Sequence, residues 1–290
     1  MNAAAPLLNA LKHQRPEWAP WLGVVDLALR ESEEPMWAAM VPETPTALGA
    51  VPRLAGATLT PQRTVVESYL QRLLVTASKS STREMASLRG ATADNLDALS
   101  LFRAALCQER DDIAQSAVRC GVDPDAFQAV VALMPVPFLQ ACNRSWDTVR
   151  DWVEAFCPIC GSWPAFAEVR GIEGSRYYRC GRCGSEWHAH GLSCPFCATN
   201  NHRDLVRLVP GDPAASSAIE ACTKCFGYVK TFNRLQGCLP SAVLLEDLGG
   251  VALDLAAIEQ GYSRPATAGY ALDVTIAGPA AGQRCLTWNA

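Results

Sequence analysis

Along the first 150 residues apolar positions recur at helical spacing; beyond them the pattern breaks into short strand-like runs. In 60–77, Val66, Tyr69, Leu70, Leu73 and Leu74 fall at 0, 3, 4, 7 and 8, which builds one apolar stripe on a helix, with Thr60 placed to cap it and Pro61 in its first turn. A longer periodic segment, from about 94 to 120, is expected to turn Leu99, Phe102, Leu106, Ile113 and Ala117 inward and Asp111 and Asp112 outward, ending at Gly121. Asp123 and Pro124 open a further helix carrying Phe127, Val130, Val131 and Met134, which Pro135 and Pro137 interrupt. Residues 16–33 add a helix with Trp18, Trp21, Leu22, Val25 and Leu29 on one side. These segments are expected to share one core as an orthogonal helical domain, residues 1–150.

From about residue 151 the expected elements are strands at 165–170, 176–179, 185–190, 204–209, 218–221 and 228–232, each too short to bury much area alone. In regions of this kind ion binding supplies folding free energy, on the order of 10 kcal/mol in zinc-finger peptides. After Pro240 a final helix is expected over 242–259, with Val243, Leu244, Leu248, Val251, Leu255 and Ile258 as its apolar set. The resulting organisation is α+β: a helical domain (1–150), two four-cysteine metal modules (151–190 and 191–240), a C-terminal helix (241–264), and an Ala/Gly/Pro-rich tail (265–290) with no firm structural signal.

With 49% hydrophobic residues in 290, the chain has ample material for a core. The formal charge of −4 comes without any run of five like charges, so no basic tail or polyanion-binding face is expected. Residues 151–238 alone carry a formal +1, which becomes about −3 once eight thiolates hold two divalent ions. Arg176, Arg179 and Arg182 are placed to soften that local charge, with ordinary solvated arginines as the other reading. No uninterrupted apolar stretch of 18 residues occurs, so no membrane span is expected. The N-terminal residues lack a cationic lead-in, so no secretory signal is expected and the cytoplasm is the default compartment.

In a reducing compartment paired cysteines read as metal ligands or redox dithiols rather than structural disulfides. Eight of the thirteen cysteines form four CxxC pairs within 69 residues: Cys157/Cys160, Cys180/Cys183, Cys194/Cys197 and Cys222/Cys225. Each pair puts two thiolates on one tight turn, and two turns complete a tetrahedral sulfur shell. Proline after the first cysteine (Pro158, Pro195) and glycine after the second (Gly161, Gly184, with Gly227 one residue later) suit such knuckles. Intervening lengths of 19, 10 and 24 residues favour sequential pairing, Cys157/160/180/183 and Cys194/197/222/225. The alternative joins the inner pairs and leaves the outer ones to meet across 61 residues, a longer loop to close. Zinc and iron both suit a tetrathiolate shell.

Cys107, Cys120, Cys142, Cys238 and Cys285 have no partner spacing and read as lone thiols. His188, His190 and His202 flank the third pair and could each replace a ligand, but eight thiolates make none of them necessary, and a place beside the ligands or at the surface is expected. Tyr177, Tyr178 and Trp187 read as ribbon core, with a partner surface as the other reading. No GxSxG, HExxH, Walker loop or GxGxxG occurs in its required setting, and closed four-cysteine sites offer a substrate no coordination position, so no catalytic residue is assigned.

Taken together, CPICGSWPAF (157–166), YYRCGRCGSEWH (177–188), CPFC (194–197), CTKCFGYVKTF (222–232) and LEDLGGVALDLAAIEQGYSRP (245–265) resemble the formate dehydrogenase accessory proteins of the FdhE type. The resemblance covers the cysteine region and the following helix; the helical half matches only in general character. It implies a cytoplasmic, non-enzymatic maturation factor with a helical domain and two rubredoxin-like sites. It further implies iron as the metal, held by Cys157, Cys160, Cys180, Cys183, Cys194, Cys197, Cys222 and Cys225. The implied partner is the catalytic, molybdenum-pterin-bearing subunit of formate dehydrogenase. Without the resemblance, the cysteine pairs alone also allow a zinc-ribbon nucleic-acid binder, which the acidic metallated region opposes, or a small thiol or iron redox protein.

Overall fold

The computed structural model describes residues 4–43, 49–92, 95–147, 151–209 and 216–277. Helices α1 (Ala5–Gln14), α2 (Ala19–Glu31), α3 (Pro35–Ala38), α4 (Arg63–Ala77), α5 (Arg83–Ser87), α6 (Ala98–Cys107), α7 (Arg110–Cys120), α8 (Pro124–Val131) and α9 (Val136–Ser145) make the N-terminal half, with one short strand, β1 (Thr58–Leu59). The stripe expected on α4 is buried in full: Val66, Tyr69, Leu70, Leu73 and Leu74. Trp37 is the centre of this core, edge-on to Tyr69 at 5.6 Å and stacked with Phe102 at 6.2 Å. Its indole N–H donates to buried Glu31, whose carboxylate also meets Arg72 at 2.7 Å.

Several boundaries differ from expectation. Extended Gln62, not Thr60, precedes α4. The segment 94–120 is two helices, because Gln108 takes a left-handed conformation (φ 61°) and the Glu109 amide turns back to Ala104 O at 2.8 Å. No glycine marks this break, which is why periodicity ran through it. Gly121 does end α7 in the left-handed conformation, and Asp123 does cap α8 through the Ala126 amide. Pro137 fits the first turn of a new helix, where its missing N–H costs nothing, so α9 restarts directly. The combined run Pro124–Ser145 is long and apolar enough to cross a bilayer, with a mean hydropathy of 1.3 in its most apolar window, yet 78% of that window is buried inside the protein.

Beyond residue 151 all six expected strands form: β2 (Phe166–Arg170), β3 (Ser175–Arg179), β4 (Glu186–His188), β5 (Leu205–Leu208), β6 (Ser217–Cys222) and β7 (Tyr228–Arg234). They make one six-stranded sheet, order β4-β3-β2-β7-β6-β5. Each half is an antiparallel ribbon; the halves join through a parallel β2–β7 pair that sets Phe166 opposite Lys230 and Glu168 opposite Phe232.

The C-terminal helix is likewise broken, into α10 (Val243–Gly249) and α11 (Val251–Glu259). Gly250 at the break lies so close to β7 that a Cβ would meet Phe232 at 3.0 Å and the Lys230 amine at 3.1 Å. As a result Val243, Leu245 and Ala257 are buried, while Leu255 and Ile258 are exposed. The tail carries more structure than its composition suggests. Leu272 and Val274 are buried in the helical core, Tyr270 N–H donates to Gly161 O at 2.8 Å, and β8 (Thr275–Ile276) pairs in parallel with β1. Cys285 and the remainder of the tail lie outside the described residues.

Candidate metal centres

The four CxxC turns share one backbone plan. In each, the amide of the first cysteine bonds the carbonyl five residues on (Ser162, Ser185, Thr199, Gly227), and the amide four residues on (Gly161, Gly184, Ala198, Phe226) returns to that cysteine's carbonyl. The fourth position is left-handed in every case: Gly161 at 69°, Gly184 at 75°, Ala198 and Phe226 at 57°. Glycine fills it only in the first pair of knuckles. Gly227 instead leaves room for Phe196, whose ring a Cβ would meet at 2.4 Å.

These turns bring the sulfurs together in the sequential grouping, Cys157/160/180/183 and Cys194/197/222/225, with one sulfur from each residue within 4.8 Å of the other three. Cross-knuckle separations are 3.4 Å (Cys157–Cys183), 3.5 Å (Cys160–Cys180), 3.5 Å (Cys194–Cys225) and 3.7 Å (Cys197–Cys222). A tetrahedron with metal–sulfur bonds of 2.3 Å has edges of about 3.8 Å. Each group could therefore hold one ion with little movement, and an all-sulfur donor set suits zinc or iron.

The first group is fully buried and belongs to the same continuous apolar cluster as Trp37 and Phe138. Burial pushes the Cys157 and Cys183 thiols well up, whereas hydrogen bonds from Cys157 and Cys180 pull Cys160 well down. Four thiolates in such a pocket need a cation to coexist. Ser185 Oγ lies 3.1 Å from both Cys157 and Cys183 sulfurs, and Ser162 Oγ 3.4 Å from Cys160. Both serines occupy the fifth knuckle position, a regularity the sequence contained but the cysteine spacing did not advertise. The second group is more open: Cys194 and Cys222 are buried, Cys197 half-buried and Cys225 exposed.

Of the three arginines around the second knuckle, Arg182 adds counter-charge to the first sulfur group, helping to pull Cys160 down, while the other two pair with carboxylates. Arg176 pairs with Glu220, Arg179 with Glu168, and Arg182 donates to Ala105 O, Leu106 O and Ser162 Oγ. His188 and His190 lie tilted against each other at the surface, their ring centres 4.7 Å apart, and His202 is exposed; none belongs to either sulfur group. Tyr178 and Trp187 are buried neighbours across β3 and β4, as ribbon core should be, while Tyr177 lies under Arg170. None of the described cysteines is in a disulfide, and Cys107, Cys120, Cys142 and Cys238 stand outside both groups.

Two charge clusters were not foreseen. Fully buried Glu168 accepts from Arg170, Arg179 and the Cys238 amide. Fully buried Lys230 meets Asp247 at 2.7 Å and Asp254 at 2.8 Å, and Arg264 closes the set on the same two carboxylates. Lone lysines and arginines in polar-looking strands give no signal of burial; only the sheet order reveals it.

A family model described as "FdhE, central domain" matches residues 156–190, the first knuckle pair and its ribbon. An FdhE homolog from Pseudomonas aeruginosa is 37% identical over 146 residues, 44% of this chain and 47% of that protein. One from Aquifex aeolicus is 30% identical over 47% of this chain and 48% of that protein. FdhE of Escherichia coli is 26% identical over 206 residues, 68% and 64% of the two chains. The chain thus spans about half the length of the first two curated relatives and about two thirds of the third. A crystal structure of the FdhE protein from Pseudomonas aeruginosa shares the fold, with a TM-score of 0.58 and 22% identity, over 93% of this chain and 95% of that one. The matched central domain and these relatives make the chain similar to FdhE proteins in sequence, and the crystal structure makes it similar to one in fold.

Proposed function

We propose that this protein is a non-catalytic, cytoplasmic accessory factor for making active formate dehydrogenase, and that it binds the enzyme's immature catalytic subunit. The reading rests on one observation above the others: two four-sulfur groups, built from repeated knuckles, fused through a single sheet to a helical domain in a chain similar to FdhE proteins. Cys157, Cys160, Cys180 and Cys183 would hold one ion, and Cys194, Cys197, Cys222 and Cys225 the other. Iron is favoured by the FdhE resemblance, and zinc fits the same donors. When bound, the ions supply cross-links for the ribbons, and iron would also offer a one-electron centre.

The protein's own residues fix how these centres are presented. Arg182 ties the second knuckle to the end of α6, the Lys230 cluster fastens α10 and α11 to β7, and the strap carrying Tyr270 closes over the first knuckle. A rigid frame of this kind suits recognition of a folded or folding partner better than turnover of a small substrate.

The test is capture from extracts that contain the formate dehydrogenase catalytic subunit, paired with deletion of this chain in its host. Recovery of that subunit and loss of formate dehydrogenase activity on deletion are the expected results. Failure of both sinks the proposal.

A further inference from the structure

Two imidazoles come together outside the sulfur groups: His188 and His190, whose ring centres lie 4.7 Å apart with their planes inclined at 59°. They are neighbours because a strand turns every second side chain to the same face. β4 ends at His188, but the Ala189 amide donates to Arg176 O at 2.9 Å and carries the pairing one step further. Ala189 is therefore buried, while His188 and His190 face solvent together. β4 is also an outermost strand of the sheet, so no further strand lies beyond the pair.

Neither ring is loose. His188 stands edge-on to its cross-strand partner Tyr177 at 5.4 Å, and Tyr177 is itself covered by the Arg170 guanidinium at 4.4 Å. His190 Nε2 lies 3.1 Å from Trp152 O. A carbonyl only accepts, so Nε2 carries the hydrogen and Nδ1 of the neutral ring keeps its lone pair. Metal-binding histidines are oriented in this way, by donating the other ring N–H to a carbonyl, carboxylate or water. His188 makes no hydrogen bond to a described residue, which leaves its ring nitrogens uncommitted.

The spacing is that of a chelate. Two imidazoles on one ion, with metal–nitrogen bonds of about 2.1 Å and an angle of about 90–110° between them, place their ring centres about 4.5–5.2 Å apart. The observed 4.7 Å lies inside that range. No third His, Cys, Asp or Glu among the described residues completes a set with them, so water would fill the rest of the shell and the ion would exchange readily. Imidazole suits zinc, nickel and copper, whereas magnesium and calcium prefer oxygen donors.

We propose that His188 and His190 form a further metal site, an exchangeable surface site for one divalent transition ion, separate from the two sulfur groups.

The test starts from the full chain with both sulfur groups filled with zinc, so that added zinc has no place there. Calorimetric titration should show a third, weaker zinc ion per chain, for which magnesium does not compete. His188→Ala and His190→Ala should each weaken that ion at least about tenfold and leave the two tightly held ions in place. Both rings are exposed, so neither change threatens the fold. Nitrogen–proton correlation spectra of the four histidines separate this pair from adventitious binding. Zinc should shift His188 and His190 together, with His190 bound through Nδ1, while His13 and His202 stay in place at the same zinc concentration. Retention of only two ions under excess zinc, undiminished affinity in either variant, or unmoved His188 and His190 signals overturns the proposal.

Discussion

The guanidinium of Arg182, inside the Cys180–Cys183 knuckle, donates to the carbonyl of Ala105 at 2.6 Å and so joins the first sulfur group to the C-terminal turn of α6. Helix-end carbonyls lack partners within their own helix, and a cation there satisfies both the hydrogen bond and the dipole. Replacing Arg182 by Met is expected to cost about 1.5–3 kcal/mol, the range for a charged hydrogen bond. Denaturant unfolding reads this directly. An unchanged midpoint would remove Arg182 from the interface argument.

Lys230 is fully buried between Asp247 and Asp254. Lys230→Met should destabilise the chain by roughly 3–5 kcal/mol, because it strands two acidic groups against the sheet with Arg264 and the Tyr228 hydroxyl left to meet them. Breaking this cluster should loosen α10 and α11 before the rest, which amide exchange on those helices measures.

The same cluster sets an acid limit. Burial opposes ionisation of Asp254, but Arg264 and Lys230 overcome it and hold its carboxyl below the ordinary aspartate range; Glu168 is depressed likewise, against its own burial, by the Cys238 amide and Arg170. A folded value below the unfolded one means stability that is complete above about pH 4 and lost as pH falls through the folded value. The urea midpoint should therefore drop steeply below about pH 4, and Asp254→Asn should lessen that slope.

Glycine at the fourth knuckle position can be tested in both directions. Ala198→Gly should stabilise by about 1 kcal/mol, since it relieves a left-handed alanine. Gly184→Ala should cost roughly 3 kcal/mol or more, because its Cβ would sit 2.4 Å from the Pro240 carbonyl oxygen. Thermal unfolding of the two variants should shift in opposite senses.

What could be read in advance divides along physical lines. Helix stripes such as Val66–Leu74, all six short strands and the pairing of the sulfurs follow from local pattern and chain length, and they stand in the structure. The breaks at Gln108 and Gly250 were hidden: the first uses a residue with no left-handed preference, and the second is imposed by β7 packing on Gly250. The fusion of the two ribbons through β2 and β7 was hidden as well, because parallel pairing depends on distant segments. That fusion, with the burial of the first sulfur group in the helical core, gives the region more apolar support than its short strands suggested.

The contrast between the two groups leads to the remaining prediction. A chelator should strip the Cys194/197/222/225 group first, where Cys225 is exposed, and the fully buried Cys157/160/180/183 group much later. Metal loss followed by absorbance should be biphasic, and Cys225→Ser should abolish only the fast phase. A single phase would contradict the asymmetry.

Native mass spectrometry of the purified chain, read together with a count of free thiols, bears most directly on the sulfur shells. Two bound metal ions per chain, with the eight knuckle thiols masked until the metal is removed, is the result expected. Fewer than two ions, or Cys157, Cys160, Cys180, Cys183, Cys194, Cys197, Cys222 and Cys225 found as disulfides, would contradict it.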